Sequence, residues 1–327
     1  MQIPVSAPRK YLAAAFSVLA LRAAVLGMLR AGAPAALMSL ALLSGGHASA
    51  APLVVAHRGG TGDAPENTLT AIRSALKNQA DVLWITVQIS SDGVPVLYRP
   101  ANVAALSDGQ GLVNTLTLAQ LQQLNVGHAF SRNDADGQKT YPYRAQALQM
   151  PTLQEALRLI PKSVPILIDL KQLPAAPLVA AVAQVLGQEQ AWDRIRVYST
   201  EAEILRLMAN YPQARLFESR DATRDRLSSV ALSGACEKPP SAGSWVGMEF
   251  ERTVTVVEKF TLGEGTSVVK ARWWTPAAVS CFKTHPDVKI VLFGIDSAAA
   301  YQAAEALGID HVMTDSPRKM KTIRATK

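Results

Sequence analysis

The chain has 327 residues, of which 49% are hydrophobic and 18% charged, a composition typical of a folded globular protein. Part of its formal charge of +7 comes from Arg9, Lys10, Arg22 and Arg30. Subtracting these four from 33 basic residues leaves 29 against 26 acidic ones in residues 51–327, a charge of +3. No basic stripe interleaves with aromatic residues, so nothing in the composition indicates nucleic-acid binding.

Residues 1–50 are predicted to be a secretory signal peptide. They contain no acidic residue, an apolar run extends from Ala31 to Leu43, and Ala48-Ser49-Ala50 is a small-x-small cleavage signal. An uncleaved membrane anchor is the alternative, but Arg22 and Arg30 leave the apolar run short for a membrane span. We therefore expect an exported protein, periplasmic or secreted, without a stable transmembrane anchor.

Short apolar runs alternate with helical periodicity in residues 51–327, which is typical of a parallel sheet. Strands are predicted near 53–57, 82–90, 94–99, 165–170, 194–199, 213–217, 245–250, 287–295 and 311–314. Helices are predicted near 67–78, 152–160, 175–187, 201–210, 221–231, 275–284 and 297–307. With the two strands around Asp92-Gly93 counted as one hairpin, eight strands remain, which predicts a (β/α)8 TIM barrel. A doubly wound open sheet is the alternative, although no dinucleotide or phosphate-loop signature supports it.

Residues 100–150 show little helical or strand pattern, and we expect an insertion that caps a site. Segments 234–244 and 261–272 are predicted to be loops. Cys236 and Cys281 are the only cysteines. A disulfide between them, in an oxidising compartment, and two buried free thiols are both compatible with the sequence.

The loop from His57 to Thr68 joins the first predicted strand to the first predicted helix. It contains one imidazole, one guanidinium, the carboxylates of Asp63 and Glu66, and three glycines that let a ligand approach the backbone. Such a basic loop, ending near a helix N-terminus, suits an anion such as phosphate.

Several motifs together resemble the glycerophosphodiester phosphodiesterase family. They are His57-Arg58-Gly59, Pro65-Glu66-Asn67-Thr68, Asp92-Gly93-Val94-Pro95-Val96, Pro151-Thr152-Leu153, Asp169-Leu170-Lys171, Gly308-Ile309-Asp310 and Thr314-Asp315-Ser316-Pro317. The resemblance implies a (β/α)8 barrel of the phospholipase-C-like type with a small insertion. It also implies hydrolysis of a glycerophosphodiester to glycerol phosphate and an alcohol.

The family uses two histidines as general acid and base, an arginine and a lysine that bind phosphate, and a divalent metal, Mg²⁺ or Ca²⁺, held by carboxylates. By resemblance, His57 is the first catalytic histidine, Arg58 binds the phosphate and Lys171 is the family's lysine. Asp169 stands where a glutamate ligand is usual.

The predicted hairpin departs from this pattern. Trp84 and Thr86 occupy two positions where the family has metal-binding carboxylates, and Arg99 replaces the second histidine. Alternation along the strand places Trp84, Thr86 and Gln88 on one face. A two-residue turn at Asp92-Gly93 would place Thr86 opposite Arg99.

Two kinds of site are compatible with these residues. In one, Arg58, Arg99 and Lys171 neutralise a phosphodiester without a metal, and His57 is the lone general acid/base. In the other, Asp169 holds a metal together with Glu66 or Glu249. Glu66 and Asn67 are further candidates for substrate binding, although Asn67 or Thr68 would also serve as a helix cap.

The sequence thus predicts an exported phosphoric diester hydrolase that acts on a small-molecule or lipid-derived phosphodiester. The alternative is a catalytically impaired family member that binds an anionic, phosphodiester-like ligand at the mouth of the barrel.

Overall fold

The structure, a computed structural model, describes residues 50–326. The predicted signal peptide lies outside this range, apart from Ala50. No helix within the described range is long and apolar enough to cross a membrane.

The described chain alternates strands and helices through most of its length. The strands are β1 (Leu53–Ala56), β2 (Val82–Ile89), β3 (Pro95–Leu97), β4 (Arg132–Asn133), β5 (Lys139–Thr140), β6 (Ile166–Leu170), β7 (Ile195–Tyr198), β8 (Trp245–Glu249), β9 (Arg252–Phe260), β10 (Gly263–Ala271), β11 (Lys289–Phe293) and β12 (His311–Thr314). The helices are α1 (Leu69–Lys77), α2 (Leu118–Gln122), α3 (Leu153–Leu159), α4 (Ala175–Gln188), α5 (Ala202–Met208), α6 (Arg220–Ser233), α7 (Pro276–Phe282), α8 (Ala298–Ala306) and α9 (Pro317–Ala325).

Seven strands form a parallel sheet in the order β7-β6-β2-β1-β12-β11-β8. The two end strands are joined by residues of the predicted strand 213–217. Leu216 bridges to Val197 on β7, and Phe217 bridges to Trp245 on β8. The sheet therefore closes into the predicted (β/α)8 barrel, with a very short fifth strand.

The barrel forms because its strands are apolar on both faces, as expected when helices cover the outside and side chains fill the inside. All eight residues of β2 are buried. Inside the barrel, the ring of Trp84 lies 5.0 Å from that of Tyr198, 6.1 Å from Phe217 and 5.5 Å from Phe293. We call Trp84, Tyr198, Phe217 and Phe293 the aromatic layer.

The first helix begins two residues later than predicted, because of the backbone at its start. Asn67 has a left-handed φ of +57°, and Thr68 is the N-cap, whose side chain accepts a hydrogen bond from the amide of Ala71. Helix α3 begins with a capping box between Thr152 and Glu155.

The predicted register between β2 and β3 is wrong by one residue. Val87 pairs with Leu97, so Tyr98, and not Arg99, lies opposite Thr86. The loop contains three residues instead of two, because the amide of Ser90 bonds to the carbonyl of Val94. Gly93, with φ of +83°, supplies the left-handed residue that such a loop needs.

The segment 261–272 is not the predicted loop. Strands β9 and β10 form an antiparallel two-stranded hairpin separate from the barrel sheet, and most of their residues are exposed. Helix α9 was not predicted either. In residues 100–150, only α2, the strand pair β4–β5 and two short 3-10 turns at 103–105 and 113–115 are regular.

Cys236 and Cys281 form a disulfide, with their Cα atoms 5.5 Å apart. It joins the segment after α6 to α7.

Candidate active site

A cavity of about 440 Å³ opens at the carboxyl ends of the barrel strands, the end where barrel enzymes carry their active sites. The aromatic layer contributes three of its side chains, namely Trp84, Tyr198 and Phe293. The polar residues that line it are His57, Arg58, Arg99, Asp169, Lys171, Thr200, Arg220, Glu249 and Asp315.

His57 follows β1, and its ring is held by a residue near the C-terminus. Its Nδ1 lies 2.6 Å from Oδ1 of Asp315, which follows β12. A carboxylate only accepts hydrogen bonds, so Nδ1 carries the proton and Nε2 is left free for proton transfer. This hydrogen bond lowers the pKa of Asp315 below its ordinary value. Asp296 in turn accepts hydrogen bonds from the amide of Asp315 and the hydroxyl of Thr314.

Arg58 lies beside His57 with a left-handed φ of +50°. Its guanidinium donates to Glu66 at 2.8 Å. Asn67 is fully buried and does not line the cavity. Its backbone N–H donates to the carbonyl of Arg58, and its side-chain Oδ1 accepts from the backbone amide of Thr86. Glu66 and Asn67 thus hold the first loop in place, Glu66 by pairing with Arg58 and Asn67 by fastening the loop to β2.

Asp169 and Lys171, two residues apart at the end of β6, form an ion pair that lines the cavity. The Nζ of Lys171 lies 3.1 Å from Oδ1 of Asp169 and donates to the hydroxyl of Thr200 at 2.8 Å. Burial raises the pKa of Asp169 above its ordinary value, while Lys171 and Arg58 act in the opposite direction. Lys171 therefore offsets part of the cost of burying this carboxylate.

A second ion pair closes the other side of the cavity. Arg220, the first residue of α6, donates to both oxygens of Glu249 at 2.5 and 2.7 Å, and to the hydroxyl of Tyr198 at 3.3 Å. Both bonds to Glu249 come from one guanidinium nitrogen, Nη2, and this charged pair orients both side chains.

Arg99 is the exception among the cations of the cavity. It is exposed at the mouth, and among residues 50–326 no carboxylate lies within ion-pairing distance of it. Within the described part of the chain, Arg99 is therefore the cavity cation without an anionic partner.

The carboxylates do not fit a divalent metal in this arrangement. Glu66 is paired with Arg58, Asp169 with Lys171, and Glu249 with Arg220. Within the part of the chain that the structure describes, no three His, Cys, Asp or Glu side chains group as metal ligands would. Asp169, Glu66 and Glu249 would each have to leave a cation to bind a metal.

Arg220, Tyr198 and Asp315 are among the contributors to the site that were not assigned from the sequence. Arg220 was missed because it begins a helix and belongs to no motif. Tyr198 was missed because it lies in an apolar strand and looks like an ordinary core residue. Asp315 belongs to the motif Thr314-Asp315-Ser316-Pro317, but its contact with His57 spans 258 positions of sequence. Only its position after the last predicted strand could have indicated its place at the cavity.

The sequence profile of the glycerophosphoryl diester phosphodiesterase family matches residues 57–319. An uncharacterised protein of Mycobacterium tuberculosis is 46% identical over 266 residues, which are 81% of this chain and 87% of that protein. Human glycerophosphodiester phosphodiesterase 1 is 42% identical over 105 residues, which are 32% of this chain and 28% of the human protein.

Solved structures agree with the fold. The crystal structure of the glycerophosphoryl diester phosphodiesterase domain of that M. tuberculosis protein has a TM-score of 0.77 at 44% identity, covering 84% of this chain and 99% of that one. A phosphodiesterase from Oleispira antarctica, solved with its product sn-glycerol-3-phosphate, has a TM-score of 0.60 at 24% identity, covering 84% and 97%. At that lower identity the likeness shows the fold alone.

Proposed function

Because the chain belongs to the glycerophosphoryl diester phosphodiesterase family, we propose that it hydrolyses a small glycerophosphodiester with His57 as its only general acid/base and with cationic side chains in place of a metal. Family membership supports phosphodiesterase activity in general. The choice of groups is our proposal, and it rests mainly on one observation: His57, Arg58, Arg99 and Lys171 line a single cavity.

The arrangement of His57 supports a role in proton transfer. Asp315 holds the ring and fixes the proton on Nδ1, which leaves Nε2 free to accept a proton from an attacking oxygen and to return one to a leaving group. A negatively charged Asp315 also stabilises the imidazolium that forms after the first transfer. Arg99, always protonated, cannot act as a second base.

The cations supply the second requirement, which is neutralisation of the phosphodiester. A phosphodiester resists nucleophiles because it is an anion, so its transition state needs fixed positive charge nearby. Arg99 lacks a carboxylate partner among the described residues, and its fork-shaped guanidinium suits two phosphate oxygens. Arg58 and Lys171 are already held by Glu66 and Asp169, which orients them without removing them from the cavity.

A metal does not take part in the proposed reaction. The candidate ligands Glu66, Asp169 and Glu249 are each ion-paired, and Trp84 fills a position where the family has a carboxylate. Trp84 instead extends the aromatic layer, which gives the cavity an apolar floor. We propose that this floor favours a small alcohol or lipid-derived head group over an extended polar one.

We also propose that the protein acts after export, in the periplasm or outside the cell, in lipid metabolism. The basic and apolar pattern of residues 1–50 and the disulfide between Cys236 and Cys281 support an oxidising compartment.

The test is hydrolysis of glycerophosphocholine, glycerophosphoethanolamine and bis(p-nitrophenyl) phosphate by the purified protein. Each substrate is assayed with Mg²⁺, with Ca²⁺ and with EDTA, for wild type, His57→Ala and His285→Ala. His285 is exposed and precedes the amino end of β11, whose carboxyl end reaches the cavity, so it is the matched control. We expect activity that EDTA does not change, that His57→Ala abolishes and that His285→Ala preserves.

Activity that EDTA removes would overturn the cationic mechanism and show that carboxylates around Asp169 leave their cations to bind a metal. Wild-type activity in His57→Ala would overturn the role of His57. A folded protein without activity under every condition, which glycerophosphocholine nevertheless stabilises against heat, would identify a ligand-binding member of the family.

A further inference from the structure

A second cavity, of about 900 Å³, opens at the opposite end of the barrel from His57. Its lining includes the first residues of six strands, which places it at the amino-terminal end: Leu53, Val82, Ile195, Trp245, Lys289 and His311. Its volume lies within the range of small-molecule binding sites. We call it the amino-terminal cavity.

Barrel interiors are usually filled by bulky aliphatic side chains at this level, but here the lining contains several cations. Most of these cations have a hydrogen-bond or ion-pair partner. Arg194 donates to backbone carbonyls, Lys289 pairs with Asp310, and Arg215 lies 3.7 Å from Asp193.

Arg196 contacts an aromatic ring instead. Its guanidinium carbon lies 4.6 Å from the centre of the Trp245 ring, over the ring face. In the described part of the chain it has neither a carboxylate within ion-pairing distance nor a hydrogen-bond acceptor. Burial and the nearby Arg215 lower its pKa below the ordinary value. A partly buried cation without a hydrogen-bonded anion is costly, and an anionic ligand would remove that cost.

His311 provides a second, independent sign of a ligand. It is only 5% exposed and lines the cavity, with its ring 4.6 Å from that of Trp245. Its Nδ1 is buried and, within residues 50–326, has no hydrogen-bond partner. Buried polar atoms without partners are rare in native structures. Arg196 and His311 therefore both contact Trp245, and among the described residues neither the guanidinium of Arg196 nor Nδ1 of His311 has a hydrogen-bond partner.

We propose that the amino-terminal cavity is a binding site for an anionic amphiphile, a carboxylate or phosphate head on an unbranched alkyl chain. The head lies between Arg196 and His311 beside Trp245, where the guanidinium offers two donors. The alkyl chain lies against Leu53, Val82 and Leu167, since apolar groups form most of the remaining lining.

The experiment is isothermal titration calorimetry of the full-length protein with four probes below their critical micelle concentrations. Laurate and dodecyl phosphate carry the two anionic heads, dodecanol is neutral, and dodecyltrimethylammonium is cationic. We expect saturable binding of at least one anion and at least tenfold weaker binding of the neutral and cationic probes. The tighter of the two anions distinguishes a carboxylate ligand from a phosphate ligand.

Four variants locate the site. Arg196→Gln should weaken the anion at least tenfold, with Arg206→Gln, an exposed arginine on α5, as the matched control. Leu53→Glu should do the same by placing a negative charge at the mouth, and because Leu53 is 44% exposed this change does not depend on core packing. Arg99→Gln, at the other end of the barrel, should leave binding in the amino-terminal cavity unchanged, and any binding that it alone removes belongs to the catalytic cavity.

Circular dichroism and thermal melting confirm that each variant is folded. Failure of both anions to bind, equal binding of the four probes, or undiminished binding in Arg196→Gln and Leu53→Glu would each overturn the proposal. Loss of binding in Arg99→Gln alone would place the anion in the catalytic cavity instead.

Discussion

The imidazole of His57 is held from the far end of the chain by Asp315, and Asp315 is itself held by Asp296. The chain thus uses two carboxylates in succession to orient one base. Asp315 contacts His57 and acts through it, so we regard it as a positioning residue in the proposed reaction.

Asp315→Asn should lower kcat by about a thousandfold, because an amide stabilises the imidazolium poorly and also permits the wrong tautomer of His57. KM should change little, since Asp315 acts through His57. Steady-state kinetics measure kcat and KM separately, with Asp193→Asn, an exposed carboxylate, as the control. A raised KM with an unchanged kcat would contradict the positioning role.

Arg99→Gln should lower kcat/KM about a hundredfold, because it removes the cation that lacks an anionic partner in the described site. Arg99→Lys should recover part of the loss, since it restores the charge but not the two-pronged geometry. Arg132→Gln, in the exposed strand β4, serves as the control. Equal activity of wild type and Arg99→Gln would show that phosphate binds elsewhere.

The sequence could predict those site residues that lie within short motifs at strand ends. His57, Arg58, Arg99, Asp169 and Lys171 all line one cavity, because the carboxyl ends of parallel strands meet at the same end of a barrel. Pairings across the chain could not be predicted in this way. The bond of Arg220 to Glu249 depends on side-chain directions that no local pattern records.

At the scale of elements, the β2–β3 hairpin shows how one loop residue changes a register. Asp92 accepts a hydrogen bond from the hydroxyl of Ser90 and another from the amide of Leu118. These bonds hold the three-residue loop and lower the pKa of Asp92. The hairpin carries Trp84 and Thr86 and leads into Arg99, so its loop helps to set the geometry of the catalytic cavity.

Gly93→Ala should destabilise the protein by roughly 1–2 kcal/mol, because alanine is strained at a φ of +83° although the space around it is open. Gly187→Ala is the matched control. It also meets open space, but it lies in helix α4, where alanine should stabilise by about 0.5–1 kcal/mol. Urea denaturation of both variants gives the two free energies of unfolding. A stabilising effect of Gly93→Ala would contradict the left-handed loop.

The barrel elements were predictable because their apolar runs and helical periodicity reflect burial, which is local in sequence. The β9–β10 hairpin was not predicted, although Thr253-Val254-Thr255-Val256 alternates between polar and apolar residues, because the hairpin is exposed and two glycines interrupt its second strand. Its glycines, Gly263 and Gly265, resemble those of a loop. The ring of Phe260 covers Gly265, so this glycine makes room for an aromatic side chain within the strand.

For the molecule as a whole, the barrel interior changes character along its axis. Polar and charged residues lie at the carboxyl end, the aromatic layer crosses the middle, and a second group of basic residues lies at the amino end. The proposed catalytic residues therefore lie at one end of the interior, and the aromatic packing that stabilises the barrel lies in its middle.

The free energy of unfolding should fall by roughly 3 kcal/mol as the pH decreases from about 6.5 to 4. Burial lowers the pKa of His311 from 6.5 to about 4; Asp310 and Asp81 act against this shift, and Lys283 and Lys289 act with it. Between these two pKa values only the unfolded chain binds the proton, so acid favours unfolding and the full stability is present above pH 6.5.

Urea titrations at a series of pH values measure this dependence. His311→Gln should remove most of it between pH 6.5 and 4, whereas the exposed His285→Gln should preserve it. The same slope in His311→Gln and wild type would show that other groups are responsible.

The aromatic layer has a consequence for how such proteins diverge. It packs across the middle of the barrel between the two cavities, so a substitution at one mouth leaves the side chains of the other in place. The two ends of one domain are then open to selection separately. Relatives that keep the same phosphodiester chemistry can acquire, alter or lose a lipid-sized site at the opposite end of the barrel. The two cavities can therefore evolve independently in proteins that share one ancestor.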